Sequence, residues 1–415
     1  MSVLDRDRQF VWHPYTQMKT APAPLPIVRG QGVYLYTADG RKLLDGISSW
    51  WVNIHGHAHP RLNQAIADQA KRLEHVIFAG ATHEPAVELA ERLVGALPAG
   101  IAKIFYSDNG STAVEVAVKM AIQYWRNRNQ PARQRIVALQ HAYHGDTIGT
   151  MAVSAPSVFT DAFSSLLFSV DRVNPEEVEE HLRAHGERVA AVIVEPMLQG
   201  AGGMIMWPAA SLARVREACY RHGVLLIADE VLTGFGRTGR MFACEHASVT
   251  PDIICLSKAL TAGYLPLAVT ATTNVVYDAF LSDDRTKTFF HGHSFTANPL
   301  ACAVALASLD LLEEGRVLDR VARLERQLRE GLAPLKDVSR VGDVRVLGGV
   351  GVVELQSDGG YLDSLGPRLY DAFLKRGVLL RPLGNVVYFM PPYVITDAEV
   401  DWVLGSIREV VTALV

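Results

Sequence analysis

Hydrophobic residues recur along this chain with two different spacings. Between residues 60 and 97 they recur every three to four positions, in RLNQAIADQAKRLEHV and PAVELAERLVGAL, and this spacing predicts two amphipathic helices. Farther along, short apolar runs such as KIFYSD, AAVIVEP and LLIADE alternate with helical segments such as STAVEVAVKMAIQYWRN. The alternation predicts a mostly parallel sheet with helices on both faces, and in such sheets the functional site lies at the carboxyl ends of the strands.

The same pattern predicts two structural units. From Asn298 the rhythm gives way to a long helical region and then to strand-like segments, VGDVRVLGGVGVVEL, VLLRP and VVYFMPP, so we place the boundary near residue 315. Close to the N-terminus, GVYLYTADGRKLLDG alternates apolar and polar residues around an Asp-Gly pair, which is typical of a β-hairpin. We therefore predict an α/β fold in which residues 50–315 form a large domain, while residues 1–49 and 316–415 together form a smaller α+β domain. A chain of 415 residues is long enough for two hydrophobic cores.

Composition narrows the classes of partner. The chain has 40 Lys and Arg residues against 44 Asp and Glu residues, a net charge of −4, and no concentrated basic run that would follow a nucleic-acid backbone. Its 4 cysteines are widely spaced among apolar residues, which is typical of reduced cytoplasmic proteins. No segment holds the roughly 18 uninterrupted apolar residues that a membrane helix needs. We expect a soluble cytoplasmic protein that binds neither nucleic acid nor a membrane.

Two motifs point to chemistry that their surroundings do not support. Gly234, Gly236 and Gly239 satisfy the pattern GxGxxG, but no clear helix follows them and the acids precede them, so a tight loop is favoured over a dinucleotide site. The alternating histidines of HGHAH at residues 55–59 do not have the spacing of zinc ligands. We predict no metal site.

A lysine and an acid follow two neighbouring apolar runs. Asp229 ends LLIAD and Lys258 follows IICLS, so both are expected at one edge of the sheet, although either residue alone is equally typical of a structural ion pair. The segment SDNGST at residues 107–112 precedes a helix, where free N–H groups bind a phosphate or are simply capped. Tyr143 in HAYHGD adds an aromatic face. These four parts together are what pyridoxal phosphate needs, so we predict a site for that cofactor.

The quoted motifs are part of a resemblance that covers essentially the whole chain. The chain resembles the class III (omega) branch of the fold-type I aminotransferases. The segments that carry the resemblance are HPYTQM at 13–18, DGISSWW at 45–51, HAYHGDT at 141–147, DEVLTGFGRTGRMFACEH at 229–246 and RPLGNVVYFMPPY at 381–393. The resemblance implies ping-pong transfer of an amino group by pyridoxal phosphate in a homodimer whose active sites are shared between subunits.

Two of these segments narrow the resemblance further. HPYTQM and the tryptophan pair of DGISSWW are similar to the members of the branch that act in biotin biosynthesis. This similarity implies that 8-amino-7-oxononanoate is the amino acceptor and 7,8-diaminononanoate the product.

The resemblance also implies roles for individual residues. Lys258 is expected to form a Schiff base with the cofactor and to move a proton, while Asp229 pairs with the ring nitrogen and Tyr143 completes the catalytic set. The residues expected to contact the cofactor are Gly110, Ser111, Tyr143, Asp229, Val231, Lys258 and, from the second subunit, Ser294. The residues expected to contact substrate are Tyr15, Trp50, Asp146, Arg237, Gly292 and Arg381.

The two arginines are candidates for binding substrate carboxylates. A guanidinium suits that task because its planar fork binds a carboxylate through two hydrogen bonds. An ordinary salt bridge is the alternative for both, and it is favoured more for Arg237, which lies in the glycine-rich loop, than for Arg381.

One segment leaves the amino donor open. HGHS at residues 291–294 has His and Ser where many members that use S-adenosylmethionine have Pro and Thr, and it is similar to members that use lysine. Tyr15 and Trp50 instead follow the S-adenosylmethionine pattern. We expect S-adenosylmethionine as the donor, with lysine as the alternative.

Two further functions stay open at this point. One is an omega-aminotransferase that acts on a diamine or an omega-amino acid. The other is a catalytically silent binding or regulatory protein, against which the joint presence of Lys258, Asp229 and Tyr143 argues.

Overall fold

The computed structural model describes residues 1–357 and 359–414. The strands are β1 (Ile27–Gln31), β2 (Tyr34–Thr37), β3 (Lys42–Asp45), β4 (Ile101–Ser107), β5 (Arg135–Leu139), β6 (Asp171–Val173), β7 (Val189–Val194), β8 (Leu198–Gln199), β9 (Ile205–Met206), β10 (Leu225–Asp229), β11 (Ile253–Leu256), β12 (Ala268–Thr273), β13 (Val341–Leu347), β14 (Val350–Leu355), β15 (Val378–Leu379) and β16 (Val386–Phe389). The helices are α1 (Val3–Phe10), α2 (Ser48–Trp51), α3 (Pro60–Ala70), α4 (Glu84–Ala96), α5 (Gly110–Asn127), α6 (Ile148–Val153), α7 (Val178–His185), α8 (Ala209–Arg221), α9 (Asn274–Asp278), α10 (Pro299–Glu314), α11 (Val317–Leu332), α12 (Leu365–Leu374) and α13 (Asp397–Leu414).

A seven-stranded sheet in the order β4-β12-β11-β10-β7-β5-β6 forms the centre of the fold. Its strands run parallel except β12, which is antiparallel to both of its neighbours, so the predicted mostly parallel sheet is confirmed. Every residue of β7, β10 and β11 is buried, because helices cover both faces of the sheet and leave no face for polar residues.

The parallel pairing of β10 with β11 sets the position of the site. Asp229 pairs in register with Cys255, so the two strands end at the same edge of the sheet. Lys258 comes two residues after β11 ends and therefore lies at that edge beside Asp229.

Helix α5 begins at the same edge. Asn109 caps it by accepting a hydrogen bond from the Thr112 N–H group, while the Thr112 hydroxyl accepts one from the Asn109 N–H group. The buried face of α5 is mostly alanine and valine in its N-terminal half, with Tyr124 and Trp125 near its C-terminal end, and the small side chains let the helix lie close against β11 and β12. Its N-terminal end therefore points toward Asp229 and Lys258.

A second apolar core joins the two ends of the chain. Strand β15 pairs in parallel with β3, Val378 opposite Leu44, and extends the sheet β1-β2-β3-β15, while β13, β14 and β16 form a separate antiparallel sheet. Leu44, Ile47, Phe373 and Phe389 are buried together in this core. The domain boundaries after residues 49 and 315 stay a prediction.

Three properties bear on partners. All four cysteines are buried thiols. Within residues 1–357 and 359–414, every helix is too short or too polar to cross a membrane. In that part of the chain, His, Cys, Asp and Glu side chains also form no group of three or more that would hold a metal ion.

Candidate active site

A cavity of about 560 Å³ opens at the carboxyl edge of the central sheet. It brings together most of the residues that the sequence singled out. Those that line it are Tyr15, Trp50, Gly110, Ser111, Tyr143, Asp146, Asp229, Val231, Lys258 and Arg381. Residues from nearly opposite ends of the chain, 15 and 381, therefore meet the ends of the central strands in one site.

Lys258 is the basic group at the base of this cavity. Its backbone has φ of +42°, a left-handed conformation that a non-glycine residue adopts at an energetic cost and that is common at functional sites. Nζ lies 4.8 Å from the ring centroid of Trp51. Burial lowers the pKa of Lys258, and the carboxylates of Asp229 and Glu195 oppose that change. The amine is thereby easier to deprotonate than an exposed lysine, as a nucleophile or base requires.

Asp229 is held by two hydrogen bonds. Its Oδ1 accepts from the Val231 N–H group at 3.1 Å, and its Oδ2 lies 2.7 Å from Nδ1 of the buried His144. Because a carboxylate only accepts, Nδ1 of His144 carries the proton in this contact. Nε2 of His144 is buried without a hydrogen-bond partner among the described residues. His144 stood in the quoted HAYHGD motif, but its pairing with Asp229 was not predicted.

Glu195 is a second buried acid that the sequence analysis did not select. It directly follows β7 and lines the cavity. Its carboxylate accepts hydrogen bonds from the N–H groups of Tyr143 and Gly200, each at 2.9 Å. Burial raises the pKa of Glu195 to about 7, and the negative charge of Asp229 acts in the same direction. Its signal in the sequence was an acid at the end of the apolar run AAVIVE, the same signal that selected Asp229.

The start of α5 forms the polar end of the cavity. Asn109 and Thr112 satisfy each other as a cap, so the capping alternative holds for those residues, while Gly110 and Ser111 line the cavity. A Cβ atom on Gly110 would lie 2.7 Å from Cγ1 of Val231, so only glycine allows the helix to approach this closely. The helix dipole and the N–H groups of this first turn favour an anion.

The outer part of the cavity is aromatic. The ring of Tyr15 meets the rings of Trp50 and Phe159 edge-on, with centroids 5.5 Å apart in both pairs. The ring of Phe159 also meets the ring of Tyr361 edge-on, with centroids 4.7 Å apart. Neither Phe159 nor Tyr361 was predicted, since Phe159 lies in a turn and Tyr361 in a three-residue 3-10 helix, and neither segment has a periodic pattern.

Asp146 joins two phenols at this outer part. Both Tyr15 and Tyr143 donate hydrogen bonds to its carboxylate. Burial and the bond to Asp146 raise the pKa of Tyr15 to about 12, and burial together with the Tyr15 contact raises that of Tyr143 further. Both hydroxyls are therefore protonated at neutral pH.

Arg381 supplies a cation beside these rings. Its guanidinium carbon lies 4.5 Å from the ring centroid of Trp50, a distance typical of cation–π contact. One of its nitrogens is 3.5 Å from the Tyr361 hydroxyl. The guanidinium is thus held over the Trp50 ring and lines the cavity.

Three predicted residues lie elsewhere. Arg237 is only 1% exposed and does not line the cavity; it donates to the Pro391 carbonyl at 3.0 Å and to the Ser48 hydroxyl at 3.4 Å. The glycine-rich loop turns its side chain inward, so Arg237 supports neighbouring backbone in this structure instead of facing substrate. Gly292 and Ser294 are exposed outside this cavity. The contact of Gly292 with substrate and that of Ser294 with the cofactor of a second subunit stay predictions.

A model of the family described as aminotransferase class-III matches residues 15–411. The chain belongs to the class III aminotransferases. As a member of that class it is a transaminase that depends on pyridoxal phosphate.

Similar proteins cover nearly the whole chain. A protein from Synechococcus elongatus named adenosylmethionine-8-amino-7-oxononanoate aminotransferase is 51% identical, over 96% of this chain and 97% of its own length. A protein of the same name from Geobacter sulfurreducens is 45% identical, over 98% of this chain and 96% of its own. The crystal structure of the enzyme of that name from Methanocaldococcus jannaschii has a TM-score of 0.96 at 37% identity and covers 99% of this chain and 98% of that one. The family and fold expected from the sequence are confirmed.

The raised pKa of Glu195 predicts a specific pH dependence of stability. Between its unfolded value near 4.5 and its folded value of about 7, the folded aminotransferase binds more protons at this site than the unfolded chain, so stability falls as pH rises through this window. In Glu195→Gln the side chain cannot ionise, so the variant should not show this fall in stability. From pH 4.5 to 7.5 the free energy of unfolding of the wild type should fall by about 3 kcal/mol relative to the variant.

Urea denaturation of the cofactor-free protein at a series of pH values measures this difference. Glu180→Gln, at an exposed position, serves as the control and should follow the wild type. Parallel pH profiles for wild type and Glu195→Gln would contradict the prediction.

Proposed function

We propose that this aminotransferase converts 8-amino-7-oxononanoate to 7,8-diaminononanoate in biotin biosynthesis, with S-adenosylmethionine as the amino donor. The observation that carries the proposal is that Lys258 and Arg381 line one cavity. Trp51 lies beside Lys258 in that cavity, and Trp50 lies beside Arg381. The acceptor has matching chemistry, since an alkyl chain separates its ketone from a terminal carboxylate. The names of the similar proteins support the same substrates.

The residues at the base of the cavity fit pyridoxal phosphate. Lys258 supplies an amine of lowered pKa, Asp229 supplies a carboxylate for the pyridine nitrogen, and the close approach of Gly110 to Val231 shapes the phosphate end. Ser111, beside Gly110, presents a hydroxyl there, and the ring of Tyr143 offers a stacking face. When bound, the cofactor supplies the carbonyl that takes up the amine and the electron sink for the negative charge at carbon.

The protein's own groups then have distinct tasks. Nζ of Lys258 would move a proton from the donor carbon that bears the amine to the bound cofactor, and in the second half of the reaction from the cofactor to the carbon of the acceptor ketone. Asp229 would keep the pyridine nitrogen protonated, and His144 fixes the carboxylate by donating to its Oδ2. Arg381 would bind the substrate carboxylate, with the rings of Trp50 and Tyr15 beside it.

Aromatic side chains also support S-adenosylmethionine as donor. Its sulfonium carries a positive charge next to apolar carbon, and a cation of this kind is attracted to the faces of aromatic rings. Trp50 and Tyr15 provide such faces at the outer part of the cavity.

We further propose a homodimer in which Ser294 of one subunit contacts the cofactor phosphate of the other. Ser294 is exposed, and beside it Phe290 and Phe295 are 75% and 65% exposed, as expected of residues that a partner covers. A cytoplasmic location is in keeping with four buried thiols.

Lys258→Ala tests the mechanism. The variant should lose the absorbance of the lysine-bound cofactor and lose transamination, because no other group can form the covalent link and move the proton. Lys71→Ala, at a lysine that forms only a surface ion pair with Asp68, is the matched control and should keep both. Transamination at the wild-type rate in Lys258→Ala would refute the mechanism.

Arg381→Ala tests the binding of the substrate carboxylate. Loss of a charged hydrogen-bonded pair is worth about 1.5–3 kcal/mol, so kcat/KM for 8-amino-7-oxononanoate should fall by about tenfold to a hundredfold. For an aminoketone of the same length without the carboxylate, kcat/KM should be nearly the same in the wild type and the variant. Arg376→Ala, whose arginine pairs with Glu409 away from the cavity, is the control, and an equal loss for both substrates would count against the assignment.

Half-reaction spectroscopy tests the donor. Either S-adenosylmethionine or free lysine is added to the cofactor-loaded enzyme. Absorbance then follows conversion of the cofactor from the form bound to Lys258 to its amine form. Conversion is expected with S-adenosylmethionine. Conversion with lysine only would show that lysine is the donor, and conversion with a simple diamine only would favour a different omega-aminotransferase.

A further inference from the structure

The turn that carries the two cavity tryptophans has an unusual backbone. Ser48, Ser49, Trp50 and Trp51 have φ of +49°, +44°, +72° and +73° in succession. L-residues disfavour this left-handed region, and a run of four without glycine needs strong contacts to persist. The contacts that hold this turn therefore decide where both tryptophans lie.

Asp45 accepts three of the hydrogen bonds that hold this turn. It ends β3 and is fully buried. Its Oδ1 accepts from the N–H groups of Ile47 at 3.3 Å and Ser49 at 3.0 Å, and its Oδ2 accepts from the Ser49 hydroxyl at 2.7 Å. One carboxylate thus fixes the chain on both sides of Ser48, the first left-handed residue.

His57 orients that carboxylate. Its Nε2 lies 2.9 Å from Oδ2 of Asp45, and its Nδ1 lies 3.0 Å from Nδ2 of Asn53. The carboxylate of Asp45 accepts, so Nε2 of His57 carries the proton and donates it. In that tautomer Nδ1 of the neutral ring accepts a hydrogen bond from the Asn53 amide. His57 belongs to the HGHAH motif, so this pairing gives that motif a role that involves no metal.

The turn connects the two charged groups that act on substrate. Trp50 lies under the guanidinium of Arg381 at 4.5 Å, and the ring of Trp51 lies 4.8 Å from Nζ of Lys258. Trp51 is also fixed from behind, where its Nε1 donates to the Tyr388 hydroxyl at 3.1 Å. A shift of the turn would move both contacts together.

We propose that Asp45, oriented by His57, is a positioning residue that fixes the Ser48–Trp51 turn and thereby aligns Arg381 and Lys258 for one substrate. Neither Asp45 nor His57 lines the cavity, so both act through the tryptophans. The proposal rests on the proposed function for the identity of that substrate, although its central claim concerns the binding of a carboxylate.

Asp45→Asn is the main test, because it keeps the size of the side chain and removes its charge and one acceptor oxygen. The ratio of kcat/KM for 8-amino-7-oxononanoate to that for the carboxylate-free aminoketone should fall about tenfold, mainly through KM for the former. Calorimetric affinity for nonanoate, an unreactive carboxylate, should fall by a similar factor. Absorbance of the lysine-bound cofactor should remain.

Control variants separate positioning from general damage. Asp39→Asn, at an exposed aspartate paired with Arg41, should leave the ratio and the nonanoate affinity unchanged. His57→Ala should lower the kcat/KM ratio and the nonanoate affinity, as Asp45→Asn does. His57→Gln keeps an N–H donor and should therefore restore most of both. If Asp45→Asn does not fold, the kcat/KM ratio and the nonanoate affinity of His57→Ala and Ser49→Ala test the positioning role instead, and both quantities should fall.

The outcomes are distinct. An unchanged ratio and unchanged nonanoate affinity in the folded variants would overturn the positioning role. If the wild type does not use 8-amino-7-oxononanoate but Asp45→Asn still weakens nonanoate binding, the proposed substrate is wrong and the positioning role stands.

Discussion

Burial of charge at the carboxyl edge of the central sheet is the constraint on which the active site depends. Asp229 and Glu195 are buried and Lys258 is half-buried, and a charge removed from water is tolerated only with nearby partners. His144 and backbone N–H groups partner the two acids, and those acids in turn moderate the loss of charge on the lysine. The site is therefore one coupled electrostatic unit, in which each charge depends on the others.

Backbone strain is the second element of the design. The Ser48–Trp51 turn and Lys258 both adopt left-handed conformations without glycine. Hydrogen bonds that Asp45 accepts from Ser49, and one that the Ser48 hydroxyl donates to the Met390 carbonyl at 2.8 Å, compensate for the strain in the turn. Because Asp45 comes from the N-terminal part of the chain and Met390 from the C-terminal part, the turn is held by contacts from both ends of the chain.

The ends of apolar runs predicted part of the site, although Glu195, which follows β7 with the same signal, was missed. Asp229 and Lys258 were identified because apolar runs stop beside them and parallel neighbours share an edge. The inward turn of Arg237 was not predictable, since a glycine-rich loop does not reveal which way a side chain points. Phe159 and Tyr361 were missed because their contact joins two loops far apart in sequence. The pairing of His144 with Asp229 likewise exists only in the folded chain.

The antiparallel direction of β12 has a mechanical consequence for Lys258. β11 and β12 pair directly, Leu256 opposite Val269, and the Ser257 hydroxyl donates to the Leu267 carbonyl at 2.9 Å. Lys258 thus lies at the closed end of a hairpin and not at the start of a long crossover. Its main chain is anchored before the lysine by β11 and after it at Leu267, whose carbonyl accepts the bond from Ser257. A lysine that holds a cofactor and carries a proton acts from a fixed point, and this short connection between two paired strands supplies that point.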